Sequence, residues 1–190
     1  MKDITLYPTE TLYALGVNAH DPEALTVLYE LKGRDTNKVS SWLVRDITDI
    51  EKYAELGEKA KKIVQHFLPG MLTLVLQTKD IVPREVVAED GTIGFRISAD
   101  PVAKKLIASF MEEYGAPLTC TSANVSQSPV FPVVGEILQQ FGVKANMITE
   151  VIDDGSRKGL ASTVVRVVDE DVTILREGEI SEADILDVLK

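Results

Sequence analysis

Short apolar runs that alternate with capped amphipathic segments constrain the fold of this chain more than any other feature of its sequence. Asp21 is followed by proline, which puts a carboxylate at a helix N-cap and proline at the first helical position, and Gly33 supplies the stop. The Asp-Pro pair at 100–101 and Gly115 repeat this arrangement. Between such segments lie short runs rich in Val, Ile, Leu and Thr, which indicate buried strands.

This series of elements predicts an α/β protein. We expect strands at 4–7, 41–44, 72–76, 92–97, 118–121, 147–152, 162–168 and 173–176. We expect helices at 21–33, 48–56, 58–67, 100–115 and 134–141, and a last one after Ser181, where Asp184 completes a capping pattern. Strands that alternate with helices through most of the length predict a single domain, residues 1–190, with a twisted mixed sheet flanked by helices. The order of the strands does not follow from the sequence.

Composition narrows the classes of function. The chain is 45% hydrophobic and 26% charged, which is typical of a globular protein with a real core. Its formal net charge of −10 repels polyanions, so we expect direct nucleic-acid binding to be weak or absent. Cys120 is the only cysteine, which excludes an internal disulfide and fits a reducing cytoplasm. No window approaches the roughly 18 apolar residues of a membrane helix, so we expect a cytoplasmic protein without a membrane partner.

The segment 118–126 changes from an apolar strand into a polar loop. Its short hydroxyl and amide side chains come close together, at Thr121, Ser122, Asn124 and Ser126. Ligands of open α/β sheets bind at the carboxyl ends of strands, so this loop is a candidate site. The alternative is a loop whose polar side chains bond only to its own backbone, and the residues alone leave both interpretations open.

Positive charge is concentrated locally despite the acidic balance. Lys32, Arg34 and Lys38 lie within seven residues of one another after the first predicted helix. Arg96 and Arg176 each lie inside an apolar run. This placement favours one local anion site over a general basic surface.

Familiar catalytic and nucleotide-binding motifs are absent. There is no Gly-x-x-x-x-Gly-Lys-Ser/Thr loop and no Gly-x-Gly-x-x-Gly after a strand. His20 and His66 are the only histidines, and we expect each to be a surface or helix-end residue. Cys120 is expected to be a small buried hydrophobe. The remaining cations, hydroxyls and amide suit a reaction in which the protein positions and neutralises phosphate groups, as in phosphoryl or nucleotidyl transfer.

Seven sequence blocks, in this order and spacing, resemble the YrdC/TsaC-like threonylcarbamoyl-adenylate synthases. The blocks are Pro8–Gly16, Lys32–Arg34 with Lys38, Phe67–Thr73, Gly94–Arg96, Thr121–Ser126, Ala161–Val165 and Leu175–Gly178. The resemblance covers nearly the entire chain. It implies a YrdC-like fold and synthesis of threonylcarbamoyl-adenylate from L-threonine, bicarbonate and ATP, with release of pyrophosphate. This reaction is the first step toward the threonylcarbamoyl group on adenosine 37 of tRNA, and Mg²⁺ would share the triphosphate charge.

The resemblance also implies a role for individual residues. Lys32 and Arg34 would be the catalytic cations. The threonine contacts would come from Thr11, Arg96, Cys120 and Ser162, with the Arg96 guanidinium on the carboxylate. The ATP contacts would come from Arg34, Lys38, Thr92, Ser122, Asn124, Val130 and Arg176. The resemblance implies no metal ligand from the protein, and tRNA-modifying partner proteins would receive the product.

Departures from the family pattern keep two alternatives open. Asp35 stands where the family has proline, next to the cations that would grip phosphate, and Val39 replaces a second proline. Gln127 replaces a glycine, so a turn that needs positive φ would be strained there. One alternative is a paralogue that keeps the fold and the ATP site but has lost or changed its second substrate. The other is a non-catalytic RNA- or ribosome-binding module, against which the net charge counts.

Overall fold

A computed structural model describes residues 3–35 and 39–190. Its strands are β1 (Ile4–Pro8), β2 (Tyr13–Gly16), β3 (Ser41–Leu43), β4 (Leu72–Gln77), β5 (Thr92–Arg96), β6 (Leu118–Ser122), β7 (Ile148–Val151), β8 (Thr163–Val168) and β9 (Asp171–Arg176). Its α-helices are α1 (Pro22–Lys32), α2 (Ile47–Tyr53), α3 (Glu58–Phe67), α4 (Pro101–Tyr114), α5 (Val134–Phe141) and α6 (Glu182–Leu189). Short 3₁₀ helices, which the sequence did not predict, occur at Arg84–Val86 and Gly142–Met147.

The strands form one mixed sheet in the order β7-β1-β2-β6-β3-β5-β4-β8-β9. Antiparallel pairs join β1 to β2, β2 to β6, β6 to β3, β5 to β4 and β8 to β9. Parallel pairs join β1 to β7, β3 to β5 and β4 to β8. The predicted fold class, a single-domain α/β protein with a mixed sheet flanked by helices, is confirmed.

The helix ends form where the sequence predicts them. The Asp21 carboxylate accepts from the backbone N–H groups of Glu23 and Ala24, and Gly33 closes α1 with φ +58°. The carboxylate at 100 caps α4 in the same way, and Gly115 closes it with φ +66°. Ser181 begins α6 with a complete capping box. These local hydrogen bonds satisfy backbone donors that the helix leaves free, so a few residues define each end.

The differences from prediction have local causes. Helix α2 ends at Tyr53, three residues early, because Ala54 is extended and bridges Thr78. Strand β9 begins two residues earlier than expected, after a hairpin turn in which Asp169 and Glu170 both have positive φ, 51° and 64°. No helix in the described ranges has the length and apolar character required to cross a membrane.

The core occupies the space between the central strands and the helices. Trp42 on β3 is fully buried and lies at the centre of an aromatic cluster. Its ring packs edge-on against His20 at 5.1 Å, Tyr53 at 5.6 Å and Phe95 at 5.8 Å between centroids. His20, expected at the surface or at a helix end, directly precedes the N-cap of α1, and its ring is half-buried in this cluster. This packing fixes β3 and β5 beneath the site.

Candidate functional site

A cavity of about 470 Å³ opens over the sheet and is lined by residues of every strand from β2 to β9 in spatial order. Three guanidinium groups, from Arg34, Arg96 and Arg176, contribute to its wall. Hydroxyl side chains of strands and of the segments between them complete the lining, among them Thr11, Thr73, Ser122 and Ser162. A cavity with this combination of cations and short hydroxyl groups is suited to an anionic ligand.

The cavity lies on one face of the sheet rather than beyond a carboxyl edge. Thr73 pairs with Val164, Val164 pairs with Arg176, and Ser41 pairs with Cys120, so directly opposite side chains line the same face. Strand β6 runs antiparallel to β3, whereas β5 runs parallel to it. Strands β5 and β6 therefore point in opposite directions, and their carboxyl ends lie at opposite ends of the sheet along the strand direction. The expected site at one carboxyl edge is wrong, because the sheet is mixed at this point.

The Arg96 guanidinium lines the cavity and belongs to a residue that is only 6% exposed. Its Nη2 donates to the Thr11 hydroxyl at 2.7 Å and to the Glu10 carboxylate at 2.9 Å. Its buried Nε has no hydrogen-bond partner among the described residues. Burial opposes the charged form, but nearby Cys120 and Glu10 outweigh it and raise the pKa of Arg96. A buried cation with an unsatisfied donor costs free energy, which an anionic ligand in the cavity would offset.

Thr11 is oriented by the turn between β1 and β2. The Thr9 hydroxyl donates to the Leu12 carbonyl at 2.6 Å and lies 3.0 Å from the Thr11 hydroxyl. Since the Thr9 proton is already used, the Thr11 hydroxyl donates to Thr9 and accepts from Arg96. A ligand could therefore reach this hydroxyl only as a hydrogen-bond donor to its remaining lone pair.

A second chain of hydrogen bonds orients the hydroxyls at the opposite side of the cavity. Arg176 donates to the Ser162 carbonyl at 2.8 and 3.1 Å and to its hydroxyl at 3.3 Å. The Ser162 hydroxyl lies 2.9 Å from that of Thr73. Burial and the charge of Arg96 lower the pKa of Arg176. Both arginines nonetheless keep their charge at neutral pH, because guanidinium groups titrate far above it.

A smaller cavity of about 260 Å³ adjoins the first and shares Arg34 and Ser122 with it. Arg34 donates to the Thr121 hydroxyl at 3.1 Å and to the Val39 carbonyl at 2.9 Å. Burial lowers the pKa of Arg34. Asp35 and Gln127, two of the three departures from the family pattern, also line this smaller cavity.

Lys32 lines the smaller cavity, and its ammonium group contacts the polar loop. Its ammonium group, on a residue only 2% exposed, donates to the carbonyl oxygens of Ser122 and Asn124, the latter at 2.8 Å. Burial, followed by the charge of Arg34, lowers the pKa of Lys32 to about 7. In this structure Lys32 holds the loop after β6 in place.

Polar side chains of the loop after β6 bond partly to one another and to its backbone, as the second interpretation of segment 118–126 expects. Ser122 donates to the Asn124 side-chain oxygen at 2.6 Å, and the Asn124 amide donates to the Ser128 carbonyl at 2.7 Å. Ser122 still lines both cavities, whereas Asn124 and Ser126 line only the smaller one.

The structure brings together most of the predicted site residues but separates Thr92 from them. Cys120, half-buried instead of buried as expected, and the 44% exposed Val130 line the larger cavity. Thr92 is four residues from Arg96 on β5, about 13 Å along an extended strand, and is not among the residues lining either cavity. Its hydroxyl donates to Asp90 at 2.7 Å. Lys38 lies outside the described residues.

Sequence reasoning missed several residues of the site. Thr73 and Ser41 line the larger cavity from alternate positions of β4 and β3, which only the register of the sheet reveals. Glu10 binds Arg96 from a turn 86 residues away in sequence. Thr9-Glu10-Thr11 did carry a signal, because three polar residues separate two apolar strands there.

The fold and the site together define the class of this protein as an α/β protein with an arginine-lined cavity on one face of a mixed sheet. Residues 2–178 match the profile of the Sua5/YciO/YrdC family, which is described as "Telomere recombination". The chain therefore belongs to the Sua5/YciO/YrdC family.

Relatives with functional names support this assignment. The chain is 38% identical over 178 residues to a putative threonylcarbamoyl-AMP synthase of Methanocaldococcus jannaschii, covering 93% of this chain and 80% of that protein. It is 32% identical over 186 residues to the threonylcarbamoyl-AMP synthase of Bacillus subtilis, covering 96% of this chain and 52% of that protein. The chain thus spans about half the length of the Bacillus relative.

Solved structures agree with the sequence relationship. The crystal structure of Pyrococcus abyssi Sua5 complexed with L-threonine superposes with a TM-score of 0.87 at 30% identity, covering 99% of this chain and 54% of that chain. Escherichia coli YciO superposes with a TM-score of 0.82 at 24% identity, covering 96% of this chain and 86% of that chain, which shows the common fold alone.

Proposed function

We propose that this protein is a threonylcarbamoyl-AMP synthase, a nucleotidyltransferase that acts in the cytoplasm on L-threonine, bicarbonate and ATP for tRNA modification. The carbamate of threonine attacks the α-phosphorus of ATP, a new P–O bond forms, and the bond to the bridging oxygen breaks to release pyrophosphate. Both partners carry negative charge, so the main task of the protein is to hold two anions together.

The buried Arg96 guanidinium, with its unpartnered Nε, is the observation that carries this proposal. A guanidinium is suited to a carboxylate because its planar donors match the carboxylate oxygens. Arg96 shares its cavity with Arg34 and Arg176. One cavity can therefore receive the amino-acid carboxylate and the nucleotide phosphates at separate guanidinium groups.

The phosphate side of the proposal rests on the two adjoining cavities. Arg34 and Ser122 line both, and a triphosphate that extends from the larger into the smaller cavity would pass between them. Lys32 would contribute positive charge there and hold the carbonyl oxygens of the loop away from the phosphates. In this arrangement the α-phosphate lies near Arg34 and pyrophosphate leaves through the smaller cavity.

Mg²⁺ belongs to the proposal as part of the nucleotide substrate. Among residues 3–35 and 39–190, no group of three or more His, Cys, Asp or Glu side chains could hold a metal ion. Mg²⁺ is commonly held by one or two carboxylates together with substrate phosphates and water. Asp35 in the smaller cavity is a carboxylate of that kind. Mg²⁺ would supply charge neutralisation to the triphosphate.

The proposal is tested by pyrophosphate release from ATP, measured with and without L-threonine and bicarbonate. We expect release to require both co-substrates. We expect Arg34→Ala and Arg96→Ala each to lower the rate by roughly a hundredfold or more, as the loss of a charge-stabilising contact predicts. Arg166→Ala is the matched control, since Arg166 pairs with Asp90 at 3.2 Å and does not line the cavity.

Release that is indifferent to threonine would move the function to a paralogue that keeps only the ATP site. Absence of release, with salt-dependent RNA binding in its place, would favour the binding-module alternative. Transfer of the product to tRNA-modifying partner proteins would be examined only after synthesis is established.

A further inference from the structure

Arg96 has fixed partners at one end of its guanidinium only. Both described hydrogen bonds leave from Nη2, to Thr11 at 2.7 Å and to Glu10 at 2.9 Å. Two hydrogens are available on Nη2, so these bonds use both of them. The buried Nε has no partner among the described residues. The protein thus anchors Arg96 through Nη2 and leaves the Nε donor without a partner among the described residues.

The Glu10 carboxylate is itself held from the opposite side. Its second oxygen accepts from the Ser98 hydroxyl, which in turn accepts from the backbone N–H of Asp100 at 3.2 Å. Asp100 caps α4 and pairs with Arg157 at 3.2 Å. Glu10 is therefore connected to the first turn of a helix, which gives it a defined position.

Glu10 does not line the cavity that contains Arg96. Its side chain is 16% exposed, against 7% for Arg96. Burial alone would raise the pKa of the Glu10 carboxyl, but the Arg96 charge and the hydrogen bonds from Ser98 and Arg96 hold it below its usual value. The carboxylate is thus ionised at neutral pH and faces the guanidinium from outside the ligand space.

We propose that Glu10 is a positioning residue, which anchors Arg96 through Nη2 so that the guanidinium presents its remaining donors to the carboxylate of an amino-acid substrate. The inference rests on the proposed function, because it names the group that holds the amino-acid subsite in place. Glu10 acts through Arg96 and does not touch the substrate. Loss of this anchor raises the KM for threonine and leaves the nucleotide site intact.

The test measures KM for L-threonine, KM for ATP and kcat in Glu10→Ala, Glu10→Gln and Ser98→Ala. We expect Glu10→Ala to raise the threonine KM about tenfold, the order of one lost charge-assisted hydrogen bond. We expect the ATP KM and kcat to stay within about twofold of wild type. Glu10→Gln restores an acceptor oxygen for Nη2, so its threonine KM should lie within about threefold of wild type. Ser98→Ala should shift KM in the same direction by less.

A purely electrostatic role of Glu10 predicts the opposite sign. If its charge only weakened the attraction of Arg96 for an anion, both Glu10 variants would lower the threonine KM, and the proposal would be overturned. An equal rise in both KM values with a fall in kcat would mean a general structural defect and would also overturn it. The surface variant Glu58→Ala, which removes a pair to Lys61, is the matched control.

Direct binding of L-threonine, measured by calorimetry without ATP, separates this inference from the proposed function. If wild type and Glu10→Ala both bind threonine with equal affinity, the positioning role is wrong while the amino-acid site survives. If wild type binds no threonine and releases no pyrophosphate in its presence, the proposed function itself is wrong.

Discussion

At the scale of single residues, chemistry was easier to predict from the sequence than orientation. Arg96 could be identified because an arginine inside an apolar strand must find a partner or a ligand. Its anchor Glu10 could not, since the two residues meet only after β1 and β5 have paired through other strands. Lys32 was predicted to grip phosphate, and the sequence did not show that its ammonium also donates to carbonyl oxygens of the loop after β6.

Gln127 stands where the family pattern has glycine, and the cost of its backbone conformation can be measured. It has φ +64°, a left-handed conformation that costs a residue with a β-carbon about 1–2 kcal/mol. Gln127→Gly relieves this strain but raises the conformational entropy of the unfolded chain. We therefore expect a net gain of about 1 kcal/mol in the free energy of unfolding. Chemical denaturation measures this gain. Gln127→Ala keeps the β-carbon and should change stability by less than half as much, and a loss of stability in the glycine variant would refute the strain argument.

We expect Lys32 to make ATP affinity dependent on pH. With its pKa at about 7 in the free protein, the side chain is charged below that value and loses its proton as the pH rises. A bound triphosphate favours the charged form and raises the pKa, so ATP binding takes up a proton above pH 7. We expect the ATP dissociation constant to rise by up to about tenfold per pH unit between pH 7.5 and 9, where the phosphates are already fully ionised.

Calorimetry in two buffers of different ionisation enthalpy measures that proton uptake. An ATP affinity that is flat from pH 7.5 to 9 would contradict the assignment of Lys32 to the phosphate site.

The same pKa has a consequence for folding. Because the pKa of Lys32 is lower in the folded than in the unfolded state, the free-energy penalty for burying the ammonium is full below pH 7. The penalty is relieved as the pH rises toward 10.5, so the folded state becomes more stable over that range.

At the scale of elements, local signals were reliable and long-range pairings were not. The caps of α1, α4 and α6 were predicted because the residues that make them lie within four positions of one another. The position of β6 between β2 and β3 depends on contacts between segments about 100 and 80 residues apart, which no local pattern encodes. The predicted carboxyl-edge site failed for this reason.

The segment 152–162, between β7 and β8, is the element that completes the cavity wall. Residues 159–162 line the cavity, and Arg157 ties the segment to the rest of the fold. The Arg157 guanidinium donates to the Thr9 carbonyl at 3.0 Å and pairs with Asp100 at 3.2 Å and with Asp154 at 2.6 Å. The sequence identified this stretch as a loop but gave no role to Arg157.

Arg157→Gln should loosen the segment and leave the buried Asp100 carboxylate short of a partner. We expect a loss of about 2 kcal/mol in the free energy of unfolding, below the range for a fully buried pair because Arg157 is partly exposed. We also expect faster proteolysis within 152–162 and higher KM values for both substrates. The control Arg166→Gln removes an exposed pair and should change none of these quantities. Unchanged proteolysis in Arg157→Gln would show that other contacts hold the segment.

At the scale of the whole molecule, an acidic protein encloses a cationic site. The net charge of −10 is distributed over the chain, while three arginines meet at one cavity. Such a distribution combines an acidic balance over the whole chain with a local concentration of positive charge. The sequence predicted this contrast correctly, because charge and composition do not depend on topology. The register that brings Arg96, Thr73 and Arg176 to one face required the structure.

The most direct test of the proposed function is to detect the adenylate itself. Wild-type protein would be incubated with ATP, Mg²⁺, L-threonine and ¹³C-labelled bicarbonate. The products would be separated by chromatography and identified by mass spectrometry. We expect threonylcarbamoyl-AMP that carries one ¹³C atom in wild type, and a loss of that product by roughly a hundredfold or more in Arg96→Ala. Formation of AMP and pyrophosphate without a labelled adenylate, or an equal yield from both proteins, would contradict the assignment of this cavity to threonylcarbamoyl-AMP synthesis.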